Sequence, residues 1–273
     1  MTDALSDESG FVTLTEKIAR ERGFGAANYK DTCLRRRIAV RMRARGAQDY
    51  GEYCRVLDDD PAEYEALIDA LTVNVTKIFR NLEVWSAVER AVLGALWDLP
   101  APRLQCWVAG CASGEEAYTL AALWHRFVSA RRAEDRLGRV HIIASDIDKA
   151  SLEAAKRGTY GPSAFVEAPD DIRARYFSAD APYAASATLR AIVRFERRDL
   201  LQDPSPQGFM HLITCRNVVI YFDRASQEAL MRRFHDALAP GGFLVLGKVE
   251  TVLGPSRALF EIVDHRQRIF RRL

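Results

Sequence analysis

The chain has no apolar run approaching the roughly twenty residues that a bilayer-spanning helix needs, so no membrane insertion is expected. Its start, MTDALSDESG, is acidic and polar, unlike a secretory signal, and a cytoplasmic protein is the simplest expectation. Cysteine is sparse. Cys33, Cys54, Cys106, Cys111 and Cys215 are odd in number and scattered, with no CxxC pair and no histidines at zinc-finger spacing. They read as reduced, mostly buried thiols, and no metal site is expected. A charge excess is missing too: 39 Lys and Arg against 37 Asp and Glu leave +2, so overall charge gives no reason to expect nucleic acid. The five histidines, His125, His141, His211, His235 and His265, are spread along predicted helices and strands and read as structural. What is present, 48% hydrophobic and 28% charged residues over 273 positions, suits a globular protein with one large domain and a small companion.

The first third reads as helices. Leu34, Ile38 and Met42 recur at helical spacing in TCLRRRIAVRMRARG, and Gly46 stands where that helix would stop. YGEYCRVL predicts a second helix, and AEYEALIDALTV a third, entered through Pro61. A linking helix, LEVWSAVERAVLGALW, follows. From Arg103 strands and helices alternate: LQCWVAG, GEEAYTLAALWHRFVSARR, VHIIASD, KASLEAAKRG, IVRFERRDL, HLITCRN, SQEALMRRFHDAL, a turn APGG, and FLVLGKV. FEIVDHRQRIFRRL alternates as a closing hairpin strand would. This order predicts an α/β fold, a mostly parallel sheet covered on both faces. Residues 161–194, rich in Pro, Ala, Ser and Tyr, break the rhythm and read as an inserted subdomain with a short helix and a small β element. The expected domains are residues 1–85, helical with a linker, and 86–273, carrying the insertion.

In a doubly wound sheet, ligands sit beyond the carboxyl ends of the strands. GCASG places Gly110, Ala112 and Gly114 where small residues allow close backbone approach. A pyrophosphate would want the next helix's N-terminus free of negative charge, yet Glu115 and Glu116 occupy that first turn, with Ser113 and Glu116 spaced as a capping box. The loop therefore favours a neutral or cationic group. Asp146, ending the next strand in ASDID, is placed to accept from a ribose diol; its ordinary alternative is to cap the helix that follows. Ribose without pyrophosphate, beside acids that tolerate a cation, points to S-adenosylmethionine. Asp199 at a third strand end can meet an adenine amino group with Leu200 against the ring, and Arg216 and Asn217 leave a fourth at the substrate edge.

With these residues in place, the chain resembles the CheR-type methyltransferases of bacterial chemotaxis, through NVTKIFR, GCASGEEAYTLA, ASDIDKASLEAAKRGTY, RNVVIYFD and GGFLVLGKVET, in that order. The resemblance implies a Rossmann-like class I methyltransferase sheet behind an N-terminal helical domain. It implies methylation of glutamate side chains on chemoreceptors, with S-adenosyl-L-homocysteine as the product. It also implies a segment, matching Asn74, Thr76 and Arg80, that closes over the cofactor, Arg80 being able to clamp a carboxylate bidentately. Cofactor-binding roles for one or both of Glu115 and Glu116, and for Asp146, Asp199, Leu200, Arg216 and Asn217, follow from the same match. Ile78 stands where the family usually has a second aromatic, Lys248 and Val249 where it has a polar pair before Glu250, and Asp199 where an Asn is frequent.

A glutamate carboxylate is ionised at neutral pH, so this chemistry requires no general base. Tyr221 is the candidate for orienting the methyl transfer, with a core aromatic as its alternative. On the basic helix, Arg37, Arg41 and Arg45 form a second stripe, flanked by Arg35, Arg36 and Arg43. Such a face is either solvated or, as the resemblance implies, turned to the cytoplasmic methylation helices of a receptor. Two other readings stay open: a non-catalytic cofactor-binding receptor adaptor or sensor, suggested by Lys248 and Val249, and a nucleic-acid module built on the arginine helix, which lacks interleaved aromatics. A monomer is expected.

Overall fold

The computed structural model describes residues 7–22, 24–72 and 76–273, and divides the chain into two units. Residues 1–74 together with Tyr221–Ser226 form a helical unit; residues 75–220 and 227–273 form a sheet unit. Asn74 lies outside the described residues.

The helical unit contains α1 (Glu8–Arg22), α2 (Asp31–Arg45), α3 (Tyr50–Asp59) and α4 (Pro61–Leu71). The sequence reading delimited α2, α3 and α4 but not α1, which buries Phe11, Leu14 and Ile18. Gly46 ends α2 in the left-handed conformation, φ 74°, with its N–H on the Arg43 and Met42 carbonyls. Asp49 caps α3 and Asp60 caps α4, each accepting a backbone N–H, and Pro61 opens α4. Tyr221–Ser226 joins this unit through a backbone bond from Lys30 N to Tyr221 O (2.9 Å) and through the Tyr29 and Phe222 rings, 5.1 Å apart. Sequence distance hid that return of the chain.

The sheet unit starts with α5 (Leu82–Val88) and α6 (Gly94–Trp97), joined through a π turn at Glu89–Leu93 into the expected linking helix. Val84, Trp85, Val88 and Leu96 are packed in the core beneath the sheet, so this helix belongs with the sheet and the division falls earlier than residue 85. There follow β1 (Leu104–Ala109), α7 (Glu115–Ser129), β2 (Val140–Asp146) and α8 (Lys149–Arg157). The inserted region holds α9 (Asp170–Tyr176) and α10 (Ala187–Ala191), and β3 (Thr159–Tyr160), which immediately precedes it, pairs with its β4 (Tyr183–Ala184) in a two-stranded sheet. Then come β5 (Val193–Arg197), β6 (Met210–Cys215), α11 (Arg224–Ala237), β7 (Leu238–Leu246), β8 (Phe260–Asp264) and β9 (Ile269–Arg272).

The main sheet runs β5-β2-β1-β6-β7-β9-β8, parallel from β5 to β7 and antiparallel at β9 and β8. The expected APGG turn lies inside β7: pairing with β6 shifts between Met210 and Leu212, and Gly241 takes φ 72° at that irregularity. β1 and β6 are buried almost throughout, the pattern of central parallel strands covered on both faces. Among the described residues no helix is long and apolar enough to cross a membrane.

Candidate functional site

Register gathers the strand-end residues. Ala109 pairs with Ser145, Asp146 with Arg197, Val108 with Thr214 and Cys215 with Leu246. Gly110, Asp146, Asp199, Arg216, Asn217 and Glu250 therefore follow or end strands along one carboxyl edge, where a doubly wound sheet binds its ligand.

The glycine loop is fastened to β2, since Gly110 N and Cys111 N both donate to Ser145 O, at 2.8 and 2.9 Å. Its glycines answer first to the protein's own packing. A Cβ on Gly110 would stand 2.5 Å from Val218 Cγ2, and one on Gly114 would stand 2.9 Å from Ala155 Cβ and 3.1 Å from the Tyr160 hydroxyl, at φ 91°. Gly114, not Ser113, is the N-cap of α7, and the expected capping box does not form. Ser113 Oγ instead donates to Glu115 Oε2 (2.7 Å), and Glu116 turns away across the sheet.

Asp146 ends β2 buried, 9% exposed. Its Oδ2 accepts Ala112 N–H (2.7 Å) and its Oδ1 accepts Asp148 N–H (3.0 Å). Burial raises its carboxyl pKa against the pull of those donors. The capping role weighed against it belongs to Asp148, which accepts Ala150 N–H (2.9 Å) and the Ser151 hydroxyl (2.7 Å). An Asp directly before a helical run with Ser three positions on was the sequence signal for this. Each Asp146 oxygen carries one bond and has room for another, which suits it to a vicinal diol. Asp199 is half-buried, with Oδ1 on Leu201 N–H (2.8 Å) and Gln202 N–H (3.3 Å), and Leu200 beside it is buried. Arg198 N–H donates to Asp146 O (2.9 Å), fixing the two strand ends to each other.

Glu115 is buried and its pKa is raised by desolvation. Glu116 Oε1 accepts the Thr214 hydroxyl (2.6 Å), and its Oε2 meets Arg216 Nη1 (3.1 Å). Arg216 Nη2 reaches Arg80 O (2.8 Å) and Asn81 Oδ1 (3.1 Å), and the guanidinium lies 5.0 Å from the Trp85 ring centroid. Thr76 and Arg80 are half-buried in the segment leading into this turn. Phe79 N–H donates to Thr119 Oγ1 (2.8 Å) and Ile78 N–H to Ala164 O (2.9 Å), so the segment rests on α7 and on the inserted region.

The sequence reading missed the part played by Glu250. Its buried carboxylate accepts N–H from Gly247 (2.6 Å), Asn217 (2.9 Å) and Ile220 (3.3 Å), tying the turn after β7 to the loop after β6. Desolvation raises its pKa, and those donors oppose the rise. Asn217 takes φ 61°, a left-handed conformation that Asn tolerates better than most residues. Lys248 pairs with Glu83, and Val249 is 75% exposed.

Tyr221 falls in the helical unit, where the Arg37 guanidinium lies 4.8 Å from its ring centroid. The expected arginine stripe is partnered within that unit, Arg37 and Arg41 half-buried and Arg45 exposed. Arg37 donates to the Ala70 and Leu71 carbonyls at the end of α4, Arg41 grips the buried Glu63 through Nε (2.9 Å) and Nη2 (2.6 Å), and Arg45 meets Asp60 (2.7 Å). The helical period was legible, but it does not distinguish solvent from a neighbouring helix. Arg36 and Arg43 are the exposed arginines beside that stripe.

A mixed sheet, parallel from β5 to β7, with an acid-bearing first loop and a buried Asp at the end of β2 marks a class I S-adenosylmethionine-dependent methyltransferase domain. Residues 74–269 match the family described as CheR methyltransferase, SAM binding domain, and residues 9–72 its all-alpha domain. The chain belongs to the CheR methyltransferase family. It is 33% identical over 250 residues to a chemotaxis protein methyltransferase of Listeria monocytogenes, covering 91% of this chain and 92% of that one. It is 30% identical over 275 residues to chemotaxis protein methyltransferase 1 of Pseudomonas aeruginosa, covering 98% and 96%. A putative methyltransferase, Cher3, of Pseudomonas putida is 31% identical over 282 residues, covering all of both chains.

Proposed function

We propose that the protein transfers methyl groups to glutamate side-chain carboxylates on chemoreceptor cytoplasmic helices, within chemotaxis or a related signalling pathway. The observation that carries this reading is the makeup of the strand-end edge: carboxylates and amides, with no histidine among them. His141 and His211 are the second residues of β2 and β6, His125 on α7 shares a hydrogen bond with Tyr176 of α9, and His235 and His265 belong to α11 and the turn after β8. A glutamate carboxylate arrives already ionised at neutral pH, so transfer to it asks no general base of this edge.

When bound, S-adenosylmethionine supplies a methyl group on a positively charged sulfur, so a carboxylate oxygen forms the new C–O bond as the C–S bond breaks. Asp146 would hold the ribose diol, Asp199 the adenine amino group with Leu200 against the ring, and Glu115 would face the cationic end. Thr76 and Arg80 would cover the ligand, with Asn74 before them in sequence. Asn217 and Tyr221 remain the candidates for the substrate side. Placement of the nucleophile is the main task left to the protein, and orientation of this kind is worth roughly 7–11 kcal/mol. On the helical unit, Arg36 and Arg43 are better placed than Arg37, Arg41 or Arg45 to meet acidic receptor helices, because the latter three already have partners within the unit.

The test uses purified full-length protein, labelled cofactor and receptor cytoplasmic fragments from the same cell. Receptor with its glutamates intact should take up label, and receptor with the acceptor glutamates changed to glutamine should not. Equal labelling of both would remove glutamate as the acceptor.

A further inference from the structure

The Phe79–Asn81 turn holds Phe79 in a conformation that its side chain disfavours. Phe79 has φ 56° and Asn81 φ 58°, both left-handed, and Phe79 is a bulky side chain buried completely in that state. Such a turn persists only where its surroundings over-determine it. Backbone bonds to Thr119 and Ala164 hold Phe79 and Ile78, and Asn81 N–H donates to Glu167 Oε2 (2.6 Å). Each of these grips one amide from outside. The Arg216 guanidinium is different, because it enters from the end of β6 and joins the turn to an acid on α7.

We propose that Arg216 is a positioning residue that latches the strained Phe79–Asn81 turn to Glu116, and so sets the Thr76–Arg80 segment for cofactor binding. Its side chain is 1% exposed and the Glu116 side chain 12%, so water screens the pair weakly. One fork of the guanidinium meets the Glu116 carboxylate, while the other meets the Arg80 carbonyl and the Asn81 amide oxygen. Only a planar cation with separated donors spans both; a lysine ammonium is a point charge and reaches one side or the other. Thr214 fixes the second Glu116 oxygen, which keeps the acid aimed at the fork. Glu116 thus has a cationic partner within the protein, whereas the Glu115 carboxylate meets the neutral Ser113 hydroxyl. Arg216 acts through the turn it holds. The inference rests on the cofactor reading above only for its consequence, not for the latch itself.

The experiment compares wild type with Arg216→Lys, and with Asn81→Gly, which keeps the left-handed backbone at no steric cost and removes one acceptor. In ligand-free protein, amide exchange at Ile78, Phe79 and Asn81 should speed up by roughly ten-fold or more in Arg216→Lys, and less in Asn81→Gly, with β1 and β2 amides unchanged. In the methyl-transfer assay, KM for the cofactor should rise by about ten-fold with kcat held within about two-fold, the signature of lost ground-state placement. Unchanged exchange at the turn in both variants would overturn the latch, as would a loss confined to kcat. Should Arg216→Lys fail to fold, the exchange comparison with Asn81→Gly decides. Calorimetry of wild type with S-adenosylhomocysteine separates the two questions: no binding there would remove the cofactor reading while leaving the exchange result to judge the latch.

Discussion

Asp146 holds the loop with both carboxylate oxygens, and the proposed cofactor reading assigns the ribose diol to the same two oxygens. Its carboxylate accepts Ala112 and Asp148 N–H groups and has capacity for a diol besides. Asp146→Asn keeps one acceptor and replaces the other with an amide donor. S-adenosylhomocysteine affinity should then fall by about 1.5–3 kcal/mol, roughly ten- to a hundred-fold, as measured by calorimetry. A binding constant equal to wild type would mean the ribose sits elsewhere. Position and residue type were legible here, since an acid at the end of the second strand is visible in ASDID. What was not legible is how it is shared with Asp148, because two acids two residues apart look alike until the helix start is placed. Glu250 is the harder case. It follows β7 by four residues and carries no spacing signal, and only the pairing of Cys215 with Leu246 brings it to the loop after β6.

At the scale of elements, the turn from β1 into α7 depends on two glycines for reasons internal to the fold. Gly114→Ala would force φ 91° on an alanine and drive its Cβ toward Ala155 and the Tyr160 hydroxyl. A loss of about 1–3 kcal/mol in thermal or denaturant unfolding is expected, together with weakened cofactor binding. Gly138→Ala has nothing within 4 Å of the new Cβ and should change stability by no more than about 0.5 kcal/mol. Equal effects from the two substitutions would show that the loop tolerates a side chain. Element type was readable because the period changes from two to 3.6 across this turn. The direction of the α2 arginines was not, because Glu63 on α4 and Asp60 at its N-cap, which hold Arg41 and Arg45, are brought within reach only by folding.

Across the molecule, the paired carboxylates Glu63 and Glu21 of the helical unit and the buried strand-end carboxylates of the sheet unit should respond to acid in opposite directions. In the helical unit, burial raises the Glu63 pKa, but the Arg41 and Tyr53 hydrogen bonds outweigh it and leave the value below the usual 4.5. Hydrogen bonds from Tyr64 and then Lys17 bring Glu21 down to about 2. Lowered values mean stability that is present above pH 4.5 and lost as pH falls through the folded values. In the sheet unit, Glu115, Asp146 and Glu250 have raised values, so their contribution is fully present below their unfolded values and lost as pH rises through the folded ones. Amide exchange followed down through pH 4.5 should therefore show amides around Glu63 and Glu21 loosening before those around Asp146 and Glu250, after correction for intrinsic exchange rates. In Glu63→Gln the unit should start about 1.5–3 kcal/mol weaker and show a shallower acid dependence. Simultaneous loosening around Glu63 and around Asp146 would contradict this.

The central claim concerns the bond made. A carboxyl methyl ester is cleaved by mild alkali and releases methanol, whereas a methyl group on nitrogen survives. The direct measurement is labelled methanol released by mild base from receptor that the purified protein has methylated. The account predicts that nearly all of the transferred label is released. Label that stays with the receptor after base treatment would contradict it.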